Sequence, residues 1–206
     1  MKAFEQLYRE KKMTANQALE LIRDGDYMFS AQAAGEPQAL LENLQHLKET
    51  GVKDTILNTC LPLKYYEAFK DPELQGILSH NGWFFSAGLR DAQKKKLVSH
   101  MPQSSTSILR KTLDRIAFEG RRPVVLATVS PMDQHGYMSL SVSAIYERDL
   151  INKGALAIVE VNPHFPRTFG DTQVHISEVA AVVESDRPIP LAQLAPYTET
   201  DAAIGR

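Results

Sequence analysis

The chain has 206 residues, of which 43% are hydrophobic and 23% charged, and its formal net charge is −2. That length buries a core without staples, and that charge leaves no global field to recruit a polyanion, so nucleic acid is excluded as an expected partner. The basic runs Lys94-Lys95-Lys96 and Arg121-Arg122 are short and read as solvated surface. Cys60 is the only cysteine, which excludes an intrachain disulfide framework and a cysteine-based zinc site. It reads as a small buried hydrophobe at a strand end rather than a reactive thiol. No signal-type run opens the chain and no 18-residue apolar stretch occurs in it. A cytoplasmic protein with no membrane partner is therefore expected.

In chain order, residues 1–13 are charged and amphipathic, and read as a short helix or arm. Thr14-Ala15-Asn16-Gln17 is a capping-box pattern that starts a helix. Asp24-Gly25-Asp26 turns that helix into a first buried strand, Tyr27-Met28-Phe29-Ser30-Ala31. The loop Gln32-Ala33-Ala34-Gly35-Glu36-Pro37 follows. Gly35 permits a tight turn, and Pro37 suits the first position of a helix running from Gln38 to Glu49. A strand, a small-residue loop and a helix start together aim backbone N–H groups above a sheet, which suits a carboxylate or other anion. The same residues read equally well as a plain connection, and the spacing is not that of a dinucleotide fingerprint.

Asp54 to Asn58 reads as a second strand and Lys64 to Phe69 as a short helix. Ile77 to Phe85 is strand-like with a bulge or hairpin at His80-Asn81-Gly82. Ser86-Ala87-Gly88 repeats the strand–turn–helix grammar before a helix from Asp91 to Leu97. Ser104, Ser105, Thr106 and Ser107 offer caps for a helix through Phe118, closed by Gly120. Arg122 to Val129 is the next buried strand. Ser130-Pro131 and Gly136 then bracket a turn carrying Asp133 and His135, before a short strand from Tyr137 to Val142 and a helix from Ile145 to Asn152.

The segment from Ala155 to Val183 is the densest in polar groups at a strand exit. Its apolar run, Ala155 to Val161, is broken only by Glu160 and reads as a strand buried on both faces. Asn162, His164, Arg167, Asp171 and His175 follow in a loop punctuated by Pro163, Pro166 and Gly170. Two readings stay open. Functional groups gather where parallel strands end; equally, the loop is a rigid turn with Arg167 paired to Asp171 and Asn162 in an Asx-turn. Val174 to Val183 returns to strand composition, and Thr198 or Thr200 caps a final helix that the sequence does not terminate. Alternating strands and helices give an α/β fold with a mainly parallel sheet flanked by helices. Asp133, His135, His164, Asp171 and His175 lack ligand spacing for a metal. No serine sits in a nucleophile elbow.

The order of these motifs resembles one family. Gly35-Glu36-Pro37 entering a helix, then the run from Val129 to Ser143 (VSPMDQHGYMSLSVS), then Val159-Glu160-Val161-Asn162-Pro163, Pro166-Arg167-Thr168, Gly170-Asp171 and Val174 to Glu178 are similar to the amino-terminal half of the acetyl-CoA hydrolase/transferase family. That family includes 4-hydroxybutyrate, acetate and butyrate CoA-transferases.

The resemblance implies two related α/β halves, on the fold shared with sugar-phosphate isomerases, around an active-site cleft. Residues 1–190 would be the N-terminal α/β domain and residues 191–206 the start of a linker helix to a C-terminal catalytic half. It implies ping-pong transfer of CoA from an acyl-CoA to a free carboxylate through a glutamyl-CoA thioester, with the nucleophilic glutamate beyond residue 206, no catalytic residue in this half and no permanently bound cofactor. CoA thioester is then the substrate, and the partners are acyl-CoA, a carboxylate, the C-terminal half and further copies of the chain. The loop of Gln32, Ala33, Gly35, Glu36 and Pro37 takes the acyl-pocket position, with Ser86, His135 and Asn162 as candidate cleft walls. Gln32 stands where 4-hydroxybutyrate enzymes carry a histidine, which leaves the acyl group open among acetate, butyrate, 4-hydroxybutyrate and succinate. Acyl-CoA hydrolysis and a non-catalytic binding module on the same scaffold are the alternatives.

Overall fold

A computed structural model gives the fold and describes residues 2–86, 88–104, 106–191 and 196–205. The sequence-based expectations at Ala87, Ser105 and Arg206, and in the linker at 192–195, lie outside the described residues. The strands are β1 (Tyr27–Ser30), β2 (Thr55–Cys60), β3 (Leu78–Phe84), β4 (Ser99–His100), β5 (Pro123–Val129), β6 (Tyr137–Ser139), β7 (Leu156–Val161), β8 (Gln173–His175) and β9 (Val179–Glu184), of which β5, β7 and β9 are apolar runs rich in β-branched residues. The helices are α1 (Lys2–Lys11), α2 (Ala15–Leu19), α3 (Gln38–Glu42), α4 (Leu47–Thr50), α5 (Leu89–Lys94), α6 (Ile108–Glu119), α7 (Glu147–Asn152) and α8 (Glu199–Ile204).

Seven strands form one sheet in the order β4-β3-β2-β1-β5-β7-β9, and every pairing in it is parallel. β6 and β8 make a separate antiparallel ribbon. Alternate residues of each strand feed opposite cores, as the period of two requires. Phe29, Val125, Val159 and Val182 join Ile108, Ile116 and Leu150 of α6 and α7 and Met138 and Val174 of the ribbon. Met28, Leu57, Leu126 and Ile158 join Leu19, Leu40, Leu41 and Leu47 of α2, α3 and α4. Helices on both faces explain why β5 and β7 read as continuous apolar runs rather than alternating ones.

Several elements differ from the sequence reading. The helix expected over Gln38–Glu49 breaks at Asn43, whose side-chain Nδ2 donates to the Ala39 carbonyl at 2.7 Å and competes with the backbone ladder; a 3₁₀ turn at Leu44–His46 links α3 to α4. Pro37 is the N-cap of α3 rather than its first residue. Gly35 does not supply the left-handed turn; Ala33 does, at φ 48°. Lys64–Phe69 holds only a 3₁₀ turn at Glu67–Phe69. Of the bulge and the hairpin expected at His80-Asn81-Gly82, the bulge is the one present: pairing with β2 shifts between Thr59 and Cys60 within one parallel strand. The helix expected from Ser104 begins at Ile108. The Thr14 capping box is present, as is one at Thr198 on α8.

Candidate active-site crevice

The chain winds outward from β1 through β2, β3 and β4 in one direction and from β5 through β7 and β9 in the other. Strand order therefore reverses between β1 and β5, and the crevice at the carboxyl ends of those strands is where open α/β sheets place ligands. The β1 exit loop fills it. Gln32, Ala33, Gly35, Glu36 and Pro37 thus lie together at the switch point. Ser86 follows β3, separated from β1 by β2, and Asn162 follows β7, separated from β1 by β5. Both are on the same sheet edge, flanking the loop rather than touching it. His135 is exposed in the turn before β6, where its N–H donates to Asp133 Oδ1 at 2.8 Å. The neighbouring Gly136 lies against His175 and Phe4, so the structure groups this turn with the ribbon and α1.

Glu36 is 2% exposed. One of its oxygens accepts the Leu63 N–H at 3.3 Å, while Oε1 and the facing Tyr66 hydroxyl are buried without meeting hydrogen-bond geometry. Burial is the main cause that pushes the Glu36 carboxyl up to about 7, because a low-dielectric site disfavours the charged form. Burial also raises the Tyr66 hydroxyl, with Glu36 as the next cause. Glu160 is 1% exposed; it accepts the Ala39 N–H at 2.7 Å, and burial raises it too. Beside it Thr128 Oγ1 donates to the Glu36 carbonyl at 3.1 Å. Two polar side chains at the ends of β5 and β7 thus hold the segment that enters α3. Nearer the surface, Glu42 of α3 pairs with Lys64 and, at 2.5 Å, with Arg187.

On the opposite side of the loop, Ser143 Oγ accepts the Gln32 N–H at 3.2 Å and donates to Glu147 Oε1 at 2.9 Å. Glu147 is fully buried and also accepts the N–H groups of Ile145 (2.7 Å) and Tyr146 (3.0 Å). Asn162 holds loops in place: its Oδ1 accepts the His164 N–H at 2.9 Å, an Asx-turn, and its Nδ2 donates to the Arg187 carbonyl at 2.8 Å. Arg167 pairs with Asp133 at 2.6 Å, not with Asp171, which lies 3.9 Å from Arg148. Cys60 is half-buried at the end of β2, and burial pushes its thiol up, which disfavours the nucleophilic thiolate.

Sequence reading missed Ser143, Glu147, Tyr66 and Glu160 as organisers of the crevice. Glu160 carried a signal, since a lone charge inside a strand buried on both faces must find donors. Ser143 and Glu147 carried none, because only tertiary structure brings them to residue 32. Among the described residues, no cluster of three or more His, Cys, Asp or Glu side chains could hold a metal ion. Among the same residues, no helix is long and apolar enough to cross a membrane.

A parallel sheet wound in both directions from a switch point defines an α/β protein of the class that places ligands at the carboxyl edge of its strands. Residues 1–193 match the acetyl-CoA hydrolase/transferase N-terminal domain. The chain is 30% identical, over 99% of its length and 45% of the relative's, to the succinyl-CoA:cyclohexane-1-carboxylate CoA transferase of Geobacter metallireducens. It is 29% identical, over 98% of its length and 46% of the relative's, to the 4-hydroxybutyrate coenzyme A transferase of Clostridium kluyveri. The crystal structure of RipA from Yersinia pestis superposes with a TM-score of 0.84 at 28% identity, covering 95% of this chain and 47% of that one. The chain belongs to the acetyl-CoA hydrolase/transferase family, and it spans about half the length of the curated relatives it matches.

Proposed function

We propose that this chain is the acyl-side half of an acyl-CoA:carboxylate CoA-transferase and that its β1 exit loop borders the acyl group. In the reaction, a glutamate carboxylate of the second half attacks the thioester carbonyl. The C–S bond breaks, CoA thiolate leaves and a mixed anhydride forms. The thiolate then attacks the glutamyl carbonyl, which releases the first acid and leaves glutamyl-CoA. An acceptor acid such as acetate or 4-hydroxybutyrate reverses the two steps and departs as its CoA thioester. This half supplies the wall against which the acyl chain lies, and no nucleophile.

What carries the reading is the β1 exit loop at the switch point, held from its two sides by Ser143 and by Thr128 and Glu160. Leu63, Phe84, Val142, Ile145 and Phe169 are large apolar side chains exposed at or after the ends of β2, β3, β6 and β7, and exposed apolar groups at one edge suit a surface that a partner covers. A second half of the family, seated there, would exclude water from the anhydride.

The test mixes this chain with the separately expressed second half of the Geobacter metallireducens relative and assays CoA exchange between succinyl-CoA or butyryl-CoA and a panel of free acids. The relative's own two halves, mixed, serve as the control. Exchange above that of either half alone is expected. A control that works while this chain supports no exchange with any acid in the panel would overturn the reading.

A further inference from the structure

The segment Ser143–Glu147 grips the β1 exit at three successive points. Tyr146 Oη donates to the carbonyl of Ser30, the last residue of β1, at 2.5 Å. Ser143 Oγ accepts the Gln32 N–H at 3.2 Å. At Gly35 a methyl group would come to 2.2 Å from Ser143 Cβ and 3.4 Å from its Cα, so the loop backbone lies directly on Ser143. Between these grips, Ala33 sits at φ 48°, a conformation that is strained for a non-glycine residue and persists only where surroundings enforce it.

The grip is itself fixed. Ser143 has one hydroxyl proton, and Glu147 Oε1 takes it at 2.9 Å, which leaves the oxygen's lone pairs facing Gln32. The second Glu147 oxygen accepts two backbone N–H groups of its own approach. Three donors satisfy a fully buried carboxyl, so its geometry is over-determined. Val142 and Ile145, on either side of Ser143, are exposed apolar residues, which places the outer face of the clamp on the open edge of the crevice.

We propose that Ser143, oriented by Glu147, is a positioning residue that holds the strained Gln32–Gly35 turn in the shape presented to the acyl group. The role in acyl recognition rests on the CoA-transferase reading; the clamp itself does not.

Two measurements separate them. Amide hydrogen exchange on this chain compares wild type with Ser143→Ala and Ser143→Thr. Removing the hydroxyl is expected to speed exchange at Gln32, Ala34 and Gly35 by tenfold or more while the amides of β5 and β7 stay protected, and threonine is expected to restore most of the protection. Unchanged exchange at Gln32 in a folded Ser143→Ala protein would overturn the clamp. In the two-half assembly, Ser143→Ala is expected to lower kcat/KM about tenfold, with the size of the loss depending on the acyl group and with threonine rescuing it; a uniform loss across acyl groups, or none, would overturn the positioning role. An inactive wild-type assembly beside a working control would sink the reaction and the acyl role together, while the exchange result would still decide the clamp.

Discussion

The two edges of the parallel sheet are built in opposite ways. At the amino edge, Arg122 pairs with buried Asp26 at 2.5 Å, Arg121 with Asp54 and Glu119 at 2.8 Å, and Arg115 with Glu119 at 2.7 Å. Arg121 also donates to the carbonyls of Gly25 and Asp54. An open depression of about 610 Å³ lies there, but the charges lining it largely answer one another. At the carboxyl edge, non-glycine residues Ala33, Leu61 and Ser141 have positive φ, as Asp54 does at the amino edge; Glu36 and Tyr66 face each other in the interior with burial raising both, and Phe169 is 92% exposed. The edges differ in how their polar groups are matched: by ion pairs at the amino edge and by a buried carboxyl and hydroxyl at the carboxyl edge. Strained backbone and buried titratable groups persist only where the surrounding structure enforces them.

The comparison yields a graded set of outcomes. The largest effect is expected at the amino edge. Arg122→Met leaves the Asp26 carboxyl buried with fewer donors and should cost ~3–4 kcal/mol in denaturant-induced unfolding, with little effect on reactivity at the far edge. Next comes Gly35→Ala at the carboxyl edge: the added methyl meets Ser143, and overpacking of this kind should cost ~2–3 kcal/mol and increase exchange in the β1 exit loop.

Third is the pH dependence. The Glu36 carboxyl is raised from 4.5 to about 7 in the fold. Between those values the folded protein keeps a proton that the unfolded chain releases, so stability falls as pH rises through that window, by on the order of 3 kcal/mol in full. Glu36→Gln should flatten that limb of a stability–pH curve. His80 works in the other direction. It is buried against Phe69, with Thr59 Oγ1 at 2.8 Å from Nε2, and burial lowers it from 6.5 to about 3. Below pH 6.5 the unfolded chain takes up a proton that the folded protein refuses, so stability falls as pH falls. His80→Gln should make the acid limb shallower and leave the alkaline limb unchanged. The smallest effect is Phe169→Ser, expected to change stability by under ~0.5 kcal/mol because the ring packs on little, while weakening association with a second half in a titration. A large stability loss there would erase the contrast between the edges.

Much of this architecture is legible in the residues. The runs Tyr27–Ala31, Pro123–Val129 and Ala155–Val161 announce strands buried on both faces, and the loop after the first of them falls at the switch point. Periodicity could not show Asn43 breaking a helix with its own side chain, since the sequence pattern continues through it. Nor could it show Gly35's reason for being glycine. A glycine at a strand exit suggests a left-handed turn, whereas here the need is for backbone to lie on Ser143, far along the chain. Contacts over such separations leave no local periodic mark. The metal-ligand candidates show the converse: His135, His164 and His175 are conspicuous in sequence, yet the fold gives them to turns, a pair with Asp186 and a cap on Ser177.

The central claim is that the crevice borders the acyl group and borrows its nucleophile from a second half. Mass spectrometry of the two-half assembly, quenched during turnover with an acyl-CoA and digested, tests it most directly. The account predicts a CoA thioester on a glutamate of the added half and no adduct on residues 1–206. A CoA or acyl adduct on Glu36, Glu147, Glu160 or Cys60 of this chain would contradict it.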